Sequence, residues 1–113
     1  MHAYRTSILL VEGDHHARQR HEVALTGAGF SVRSISAWTE HEAVPLAAVI
    51  VIDVWSFYVL QRGRIDLRST DVVVIAADAK FGVAACLRGA ADWFPAGADN
   101  TYVVETVTRV LNS

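Results

Sequence analysis

Residues 47–54, Ala-Ala-Val-Ile-Val-Ile-Asp-Val, carry the strongest strand signal in the chain. A continuous β-branched run of this kind is typical of a strand that is buried on both faces, as in a parallel sheet covered by helices on each side. Two further runs, 6–11 and 71–77, repeat the pattern. The three runs therefore predict the central strands of a parallel sheet.

Weaker signals surround these runs and alternate between strand and helix. Residues 30–35 and 91–94 are typical of short strands, whereas residues 56–67 fit neither pattern clearly. Helical patterns occur at 15–28, 39–44, 81–89 and 101–111. Five strands that alternate with about five helices predict an α/β fold, a three-layer doubly wound sheet with right-handed crossovers. In such folds the functional crevice lies at the carboxyl ends of the strands.

Composition narrows the class of protein. The 113 residues predict one domain, 1–113, and 52 % hydrophobic against 19 % charged residues excludes a disordered chain. A net charge of −2 offers no basic surplus for binding nucleic acid. The longest uncharged apolar run, 43–52, is far too short to span a membrane, and residues 1–5 lack the features of a signal peptide. A single cysteine suits a reducing compartment, so we expect a cytoplasmic domain.

Acidic side chains follow two of the predicted strands. Glu12 and Asp14 come directly after the first strand, and Asp53 lies at the end of the third. The carboxyl ends of parallel strands share one edge of the sheet, so these residues predict an acidic pocket. Asp14 also precedes a helical segment, which favours a helix N-cap over a role as a metal ligand.

The order of short motifs resembles the receiver domain of bacterial two-component response regulators, of the chemotaxis-regulator type. The motifs are Ile-Leu-Leu-Val-Glu-Gly-Asp at 8–14, Gly-Phe-Ser-Val at 29–32, Val-Ile-Val-Ile-Asp at 49–53, the apolar run 72–77, and Gly-Ala-Ala-Asp-Trp at 89–93. They cover nearly the whole chain. The resemblance implies a flavodoxin-like fold and a role in signal transduction. It also implies phosphoryl transfer from a phosphohistidine to an aspartate, assisted by Mg²⁺.

Compared with that family, the site is degenerate. The resemblance places Asp53 at the phosphoacceptor position and Glu12 at the first position of the acidic pair. The second acid falls on Gly13, the hydroxyl residue after the fourth strand on Ala76, and the lysine after the fifth on Ala96. Three positions therefore lack the side chain that the chemistry uses.

We expect these losses to abolish useful phosphotransfer. Removing one charge-stabilising donor typically costs about 2.7–4 kcal/mol in the transition state, and Mg²⁺ prefers several oxygen ligands. The expectation is a domain that is not an enzyme and binds Mg²⁺ weakly or not at all, with Asp53 hydrogen-bonded to backbone donors. The alternative is a rebuilt site in which Asp53 is still phosphorylated, with Asp14 or Lys80 compensating.

The segment after Asp53 departs further from the family. Receivers usually continue through a Met-Pro pair and a glycine, whereas here Val-Trp-Ser-Phe-Tyr follows. The shorter spacing predicts a truncated third helix within 55–70. Trp55 and Tyr58 then either lie over the crevice or fill core space left by the shortening, and core filling is the preferred interpretation.

Four histidines and the cysteine are further candidates for a metal site or a reactive site. His15, His16, His21 and His41 match no metal-ligand spacing, because adjacent helix residues point about 100° apart. We interpret them as solvated helix residues. Cys86 lies in an apolar helix and is interpreted as an inert core residue.

The sequence predicts a phosphorylation-independent interaction module. Its partner is a signalling protein or a covalently attached output domain, and a homodimer is possible; neither nucleic acid nor membrane is expected. The predicted contact surface is the last strand with its two flanking helices, including Trp93, Phe94 and Arg109, the last paired with Glu105. In the alternative, these aromatic residues are buried and the protein is monomeric. A small-ligand site in the crevice is a weaker possibility, because no glycine-rich loop is present.

Overall fold

The apolar runs fold as parallel strands that alternate with helices. The computed structural model describes residues 6–39, 47–63 and 70–113. Within these ranges the elements are β1 (Ser7–Val11), α1 (His15–Gly27), β2 (Ser31–Ile35), β3 (Val49–Asp53), α2 (Val54–Arg62), β4 (Asp71–Ala76), α3 (Ala79–Leu87), β5 (Asp92–Pro95) and α4 (Asn100–Leu111).

The sheet has the strand order β2-β1-β3-β4-β5, and every neighbouring pair is parallel. In the centre Leu10 of β1 pairs with Val51 of β3, which pairs with Val73 of β4. Parallel neighbours require crossovers, which the intervening helices supply. The predicted doubly wound five-stranded α/β fold is confirmed.

Successive strand residues face opposite sides of the sheet, so the core consists of two separate clusters. One cluster packs side chains of α2 and α3, together with Trp38, against one face of β1, β3 and β4. Its residues include Phe57, Leu60 and Ala85 from the helices and Leu9, Val11, Ile50, Ile52, Val72 and Val74 from the strands. The other packs Leu25 of α1 and Val103, Val107 and Val110 of α4 against Ile8, Leu10, Val49, Val51, Val73 and Ile75. Burial on both faces explains why the central strands are continuously apolar.

Each of the four described helices begins after an aspartate that caps it. The carboxylates of Asp14, Asp53, Asp78 and Asp99 each accept the N–H of the residue three positions later. These caps satisfy backbone donors that the helices leave unpaired. The helix starts therefore depend on short side chains at the carboxyl edge of the sheet.

The structure shifts several predicted boundaries. The strand predicted at 47–54 ends at Asp53, because Asp53 caps α2. The described part of the segment that fitted neither pattern is helical, since α2 extends from Val54 to Arg62. The helix predicted at 81–89 begins earlier, at Ala79, after the Asp78 cap. Thr39 lies outside any helix, and the remainder of the helix predicted at 39–44 falls outside the described residues, as do 64–69. The shortening predicted within 55–70 therefore stays a prediction.

None of the described helices is long and apolar enough to cross a membrane.

Candidate functional site at the carboxyl edge of the sheet

The carboxylate of Asp53 is held by two backbone donors from different parts of the chain. The N–H of Gly13, in the loop after β1, donates to Oδ2 at 2.8 Å, and the N–H of Ser56 donates to Oδ1 at 2.8 Å. The first bond ties the β1 loop to β3, and the second caps α2. Asp53 therefore connects three elements through one side chain.

Glu12 makes a buried contact with a histidine of α1. Its Oε1 lies 2.8 Å from Nδ1 of His21, and the side chains of Glu12 and His21 are only 4 % and 0 % exposed. A carboxylate buried to this degree requires a hydrogen-bonding partner, and His21 supplies it. Glu12 is thus enclosed under α1 and does not line an open acidic pocket.

His21 corrects the prediction that the histidines are solvated. Its ring packs edge-on against Phe94 with centroids 5.4 Å apart, and its Nε2 is buried with no hydrogen-bond partner in the part of the chain that the structure describes. The burial of His21 could have been predicted from its position in the helix. His21 lies four residues before Leu25, and these two are the buried residues of α1.

The neighbouring histidines behave as predicted. His15 and His16 are exposed in the first turn of α1, with ring centroids 5.6 Å apart at a tilt of 58°. Nδ1 of His15 lies 3.2 Å from a guanidinium nitrogen of Arg18. His41 lies outside the described residues.

Asp14 is a helix cap. Its Oδ1 accepts the Ala17 N–H at 2.9 Å, and this backbone hydrogen bond lowers the pKa of the carboxyl below its usual value. The side chain is exposed at the start of α1. The interpretation of Asp14 as an N-cap agrees with this geometry.

The three degenerate positions contribute no functional group to this edge of the sheet, and of these Gly13 contacts Asp53. A Cβ on Gly13 would lie 3.6 Å from Oδ2 of Asp53, an ordinary contact, so the site has room for a side chain there. Ala76 is buried at the end of β4, and its carbonyl accepts the N–H of Ala96 at 2.9 Å. The carbonyl of Ala96 in turn accepts a hydrogen bond from Arg20 at 2.9 Å. At this edge the described hydrogen bonds of Ala76 and Ala96 are made by their backbone groups.

These residues do not fit a magnesium ion. Both Asp53 oxygens accept backbone hydrogen bonds, Glu12 is paired with His21, and Gly13 has no side chain. Within residues 6–39, 47–63 and 70–113, no three His, Cys, Asp or Glu side chains are grouped closely enough to hold a metal ion. A hard cation would find few oxygen ligands here, because the Asp53 oxygens already accept backbone hydrogen bonds and the Glu12 carboxylate is buried against His21.

The predicted contact surface is partly corrected. Phe94 is 0 % exposed and lies against His21, so it presents no surface to a partner. The Trp93 indole packs on Gly82 of α3, where an added Cβ would lie only 2.0 Å from the ring. Arg109 pairs with Asp92 of β5 at 2.8 Å rather than with the predicted Glu105, and its side chain remains 61 % exposed.

The aromatic residues after Asp53 separate into two environments. Tyr58 is partly buried against the core, under the guanidinium of Arg88, whose Cζ lies 5.3 Å from the ring centroid. Trp55 is 78 % exposed, so the preferred core-filling interpretation was wrong for this residue. Trp38, and not Trp55, is buried in the core cluster that includes α2. It is 3 % exposed, and its backbone N–H donates to Oγ of Ser56 at 3.3 Å.

The sequence matches no protein-family model and no curated protein. The fold is nevertheless shared with solved structures. The receiver domain of NtrX from Brucella abortus superposes with a TM-score of 0.80 at 19 % identity, over 94 % of this chain and 98 % of that one. A response regulator from Thermotoga maritima gives 0.76 at 19 % identity, over 95 % and 98 %. A CheY-like receiver domain protein from Methanospirillum hungatei gives 0.76 at 15 % identity, over 94 % and 93 %.

The same NtrX fold also occurs in longer chains. The 113-residue chain covers 26 % of one such NtrX chain from Brucella abortus, with a TM-score of 0.80 and 19 % identity. Together with the strand order β2-β1-β3-β4-β5, these superpositions show that the chain has the fold of response regulator receiver domains.

Proposed function

We propose that this chain is a degenerate receiver domain that acts in two-component-type signal transduction through protein contacts, without phosphorylation of Asp53. The observation that carries the proposal is that both remaining acidic side chains, Asp53 and Glu12, are already engaged in contacts within the fold. Asp53 uses both oxygens to hold backbone donors, and Glu12 is buried against His21. The acids that remain therefore support the fold.

Phosphoryl transfer to a carboxylate needs a free nucleophilic oxygen and positive groups around the transferred oxygens. At Asp53 both oxygens already accept a backbone hydrogen bond, one from Gly13 and one from the first turn of α2, and these bonds stabilise the carboxylate and make it a weaker nucleophile. Ala76 and Ala96 supply neither a hydroxyl nor an ammonium group. The domain is accordingly a signalling module rather than an enzyme.

The contact surface that we propose is formed by α3, β5 and α4. Val83 and Leu87 lie one turn apart on α3 and are 52 % and 84 % exposed, and Tyr102 of α4 is 48 % exposed. The Arg109–Asp92 pair adds charged groups to the same three elements. Exposed apolar side chains beside charged ones are typical of a docking surface, which replaces the role first assigned to Phe94.

A protein partner, an attached output domain or a second copy would occupy this surface. Longer NtrX chains contain this fold as one part, which supports the possibility of an output domain. With a net charge of −2 and no membrane-spanning helix among the described residues, we propose a cytoplasmic domain that binds neither nucleic acid nor membrane.

The proposal is tested by incubating the protein with Mg²⁺ and acetyl phosphate and measuring its intact mass. A receiver that accepts phosphate from this donor is treated in parallel, so that a negative result is meaningful. We expect no added phosphoryl group. A stoichiometric gain that disappears in Asp53→Asn would overturn the proposal and establish the rebuilt-site alternative.

A further inference from the structure

A groove of about 400 Å³ lies beside α2, at the end of α3, and shares no lining residue with the contact surface proposed above. Its described lining is Trp55, Tyr58, Gln61, Arg62 and Arg88. This volume lies within the roughly 300–1,000 Å³ typical of ligand pockets.

The walls of the groove are held in place by contacts between the two helices. The guanidinium of Arg88 stacks over the ring of Tyr58, with its Cζ 5.3 Å from the ring centroid. The side-chain amide of Gln61 donates to the backbone carbonyl of Arg88 at 2.7 Å. A partner would therefore meet a surface that needs little ordering, which favours binding.

Trp55 provides an unpartnered apolar surface at the entrance. It lies in the first turn of α2 and is 78 % exposed. By contrast, Trp38 and Phe57, which belong to the core cluster on the α2 side of the sheet, are only 3 % and 2 % exposed. Exposed tryptophan is costly to leave in water and is enriched at the centres of interfaces. Its position beside Tyr58 gives the groove two aromatic surfaces.

The charges of the groove select the kind of partner. Arg62 and Arg88 are its charged groups, and no carboxylate lines it in the described ranges. Arginine recognises carboxylates through parallel hydrogen bonds and also stacks on aromatic rings. Aromatic and arginine side chains also suit single-stranded nucleic acid, but such binding needs a positively charged groove that follows the phosphate backbone, whereas the described lining here has two arginines.

We infer that this groove docks an acidic segment of a partner protein, which places an aromatic or branched aliphatic side chain against Trp55 and Tyr58 and carboxylates on Arg62 and Arg88. The inference goes beyond the proposed function, because it concerns a different surface and does not depend on the state of Asp53.

The test begins with selection from a displayed library of random dodecapeptides on the full chain. We expect the enriched peptides to combine Asp or Glu with Trp, Phe, Leu or Ile. A synthetic peptide of the enriched sequence, chosen without tryptophan, is then titrated. Burial of Trp55 should shift the tryptophan emission of the protein to shorter wavelength.

Variants identify the surface. Trp55→Ala and Arg88→Glu should each weaken binding by about tenfold or more, the scale of an interface hot spot. Leu87→Ala removes the most exposed apolar side chain of the other surface and should leave the affinity unchanged. Circular dichroism confirms that each variant is folded, and Trp55→Phe should retain most of the binding.

Three results would overturn the inference: enrichment of no peptide or of basic peptides, an affinity unchanged by Trp55→Ala, or loss of binding in Leu87→Ala. A single-stranded oligouridylate is titrated at the same ionic strength as a further arm. If it binds more tightly than the peptide and loses affinity in Trp55→Ala, the groove is a nucleic-acid surface and the inference is wrong. Phosphorylation of Asp53 would overturn only the proposed function.

Discussion

Asp53 caps α2 and holds the loop after β1, and these two roles can be separated from phosphate chemistry by substitution. We expect Asp53→Ala to lower the free energy of unfolding by about 1–2 kcal/mol, since loss of an N-cap typically costs about 0.5–2 kcal/mol and the Gly13 N–H also loses its partner. Asp53→Asn should destabilise less than Asp53→Ala without matching the wild type, because its one amide oxygen can still cap α2 whereas its NH2 group cannot accept the second N–H. Urea unfolding of the three proteins measures the difference.

Asp78→Ala provides the matched control for that measurement. Asp78 caps α3 with one hydrogen bond of 3.3 Å, and it is exposed. Its removal should destabilise the protein less than Asp53→Ala does. If Asp53→Asn is as destabilising as Asp53→Ala, the fold depends on both acceptor oxygens of Asp53 and not on the cap of α2 alone.

The Glu12–His21 pair gives a second prediction at the residue scale. His21→Leu should cost about 3–5 kcal/mol, because it leaves the buried Glu12 carboxylate without its partner. Adding Glu12→Met should recover most of that loss, since a buried polar pair can often be replaced by apolar residues of similar size. Denaturant unfolding of both variants tests the pair. A single His21→Leu variant with wild-type stability would contradict the burial of Glu12.

The junction between α3 and β5 makes a prediction at the scale of the element. Gly82→Ala should destabilise the protein by about 1–3 kcal/mol through overpacking, although alanine is the better helix former, because the new methyl group would meet the Trp93 ring. Gly27→Ala, at the end of α1 with no atom within 4 Å of the new Cβ, should instead stabilise by about 0.4–1 kcal/mol. Thermal unfolding of both variants measures the two changes in stability. A Gly82→Ala variant that is as stable as the wild type would contradict the contact between Gly82 and Trp93.

The capping of α1 predicts a dependence on pH. The hydrogen bond to Ala17 lowers the folded-state pKa of Asp14 below its ordinary 3.8, so its contribution to stability is present above that value. It is lost as the pH falls through the lowered folded-state pKa. Asp14→Asn keeps a capping side chain without the titration. The difference in stability between the wild type and Asp14→Asn should therefore shrink between pH 7 and pH 3, and a constant difference would contradict the assignment.

Elements were predictable from the sequence where one periodicity dominated. The β-branched runs of β3 and β4 identified buried parallel strands, and Asp14 identified the start of α1. Residues 56–67 were ambiguous because α2 is short and combines aromatic with charged residues, and its start depends on the Asp53 cap. The exposure of Trp55 was not predictable, because the sequence pattern does not show which of the two tryptophans, Trp38 or Trp55, packs into the core.

At the candidate site the sequence predicted that Asp53 and the residues after β1 lie at one edge of the sheet, and the contact between Asp53 and Gly13 agrees with this, whereas the roles assigned to these positions stay predictions. Gly13, Ala76 and Ala96 were recognisable as lacking functional groups because a residue type is read directly from the sequence. The pairing of Glu12 with His21 was not, because it depends on which turn of α1 faces the loop after β1. Burial decides that pairing, and burial is a property of the packed molecule.

At the scale of the whole molecule, the proposed function predicts association that does not respond to phosphodonors. Sedimentation equilibrium from micromolar to near-millimolar protein should show the same self-association with and without acetyl phosphate and Mg²⁺. Leu87→Glu should abolish it by placing a charge on the α3 surface, whereas Val23→Glu, on the exposed side of α1, should not. If the wild type is monomeric throughout, the surface serves another protein or an attached domain, and self-association is excluded.

The direct passage from β3 into α2 at Asp53 also bears on how this chain diverges. Under the proposed function, position 53 is constrained as a helix cap that also accepts the Gly13 N–H, so aspartate is favoured there without any phosphate chemistry. Glu12 and His21 are expected to change together, because either one alone leaves a buried polar group unpaired. A variant with an acid at position 13 would still have alanine at positions 76 and 96. No single substitution would therefore complete a phosphoryl-transfer site, whereas a single substitution of Asp53 would cost stability.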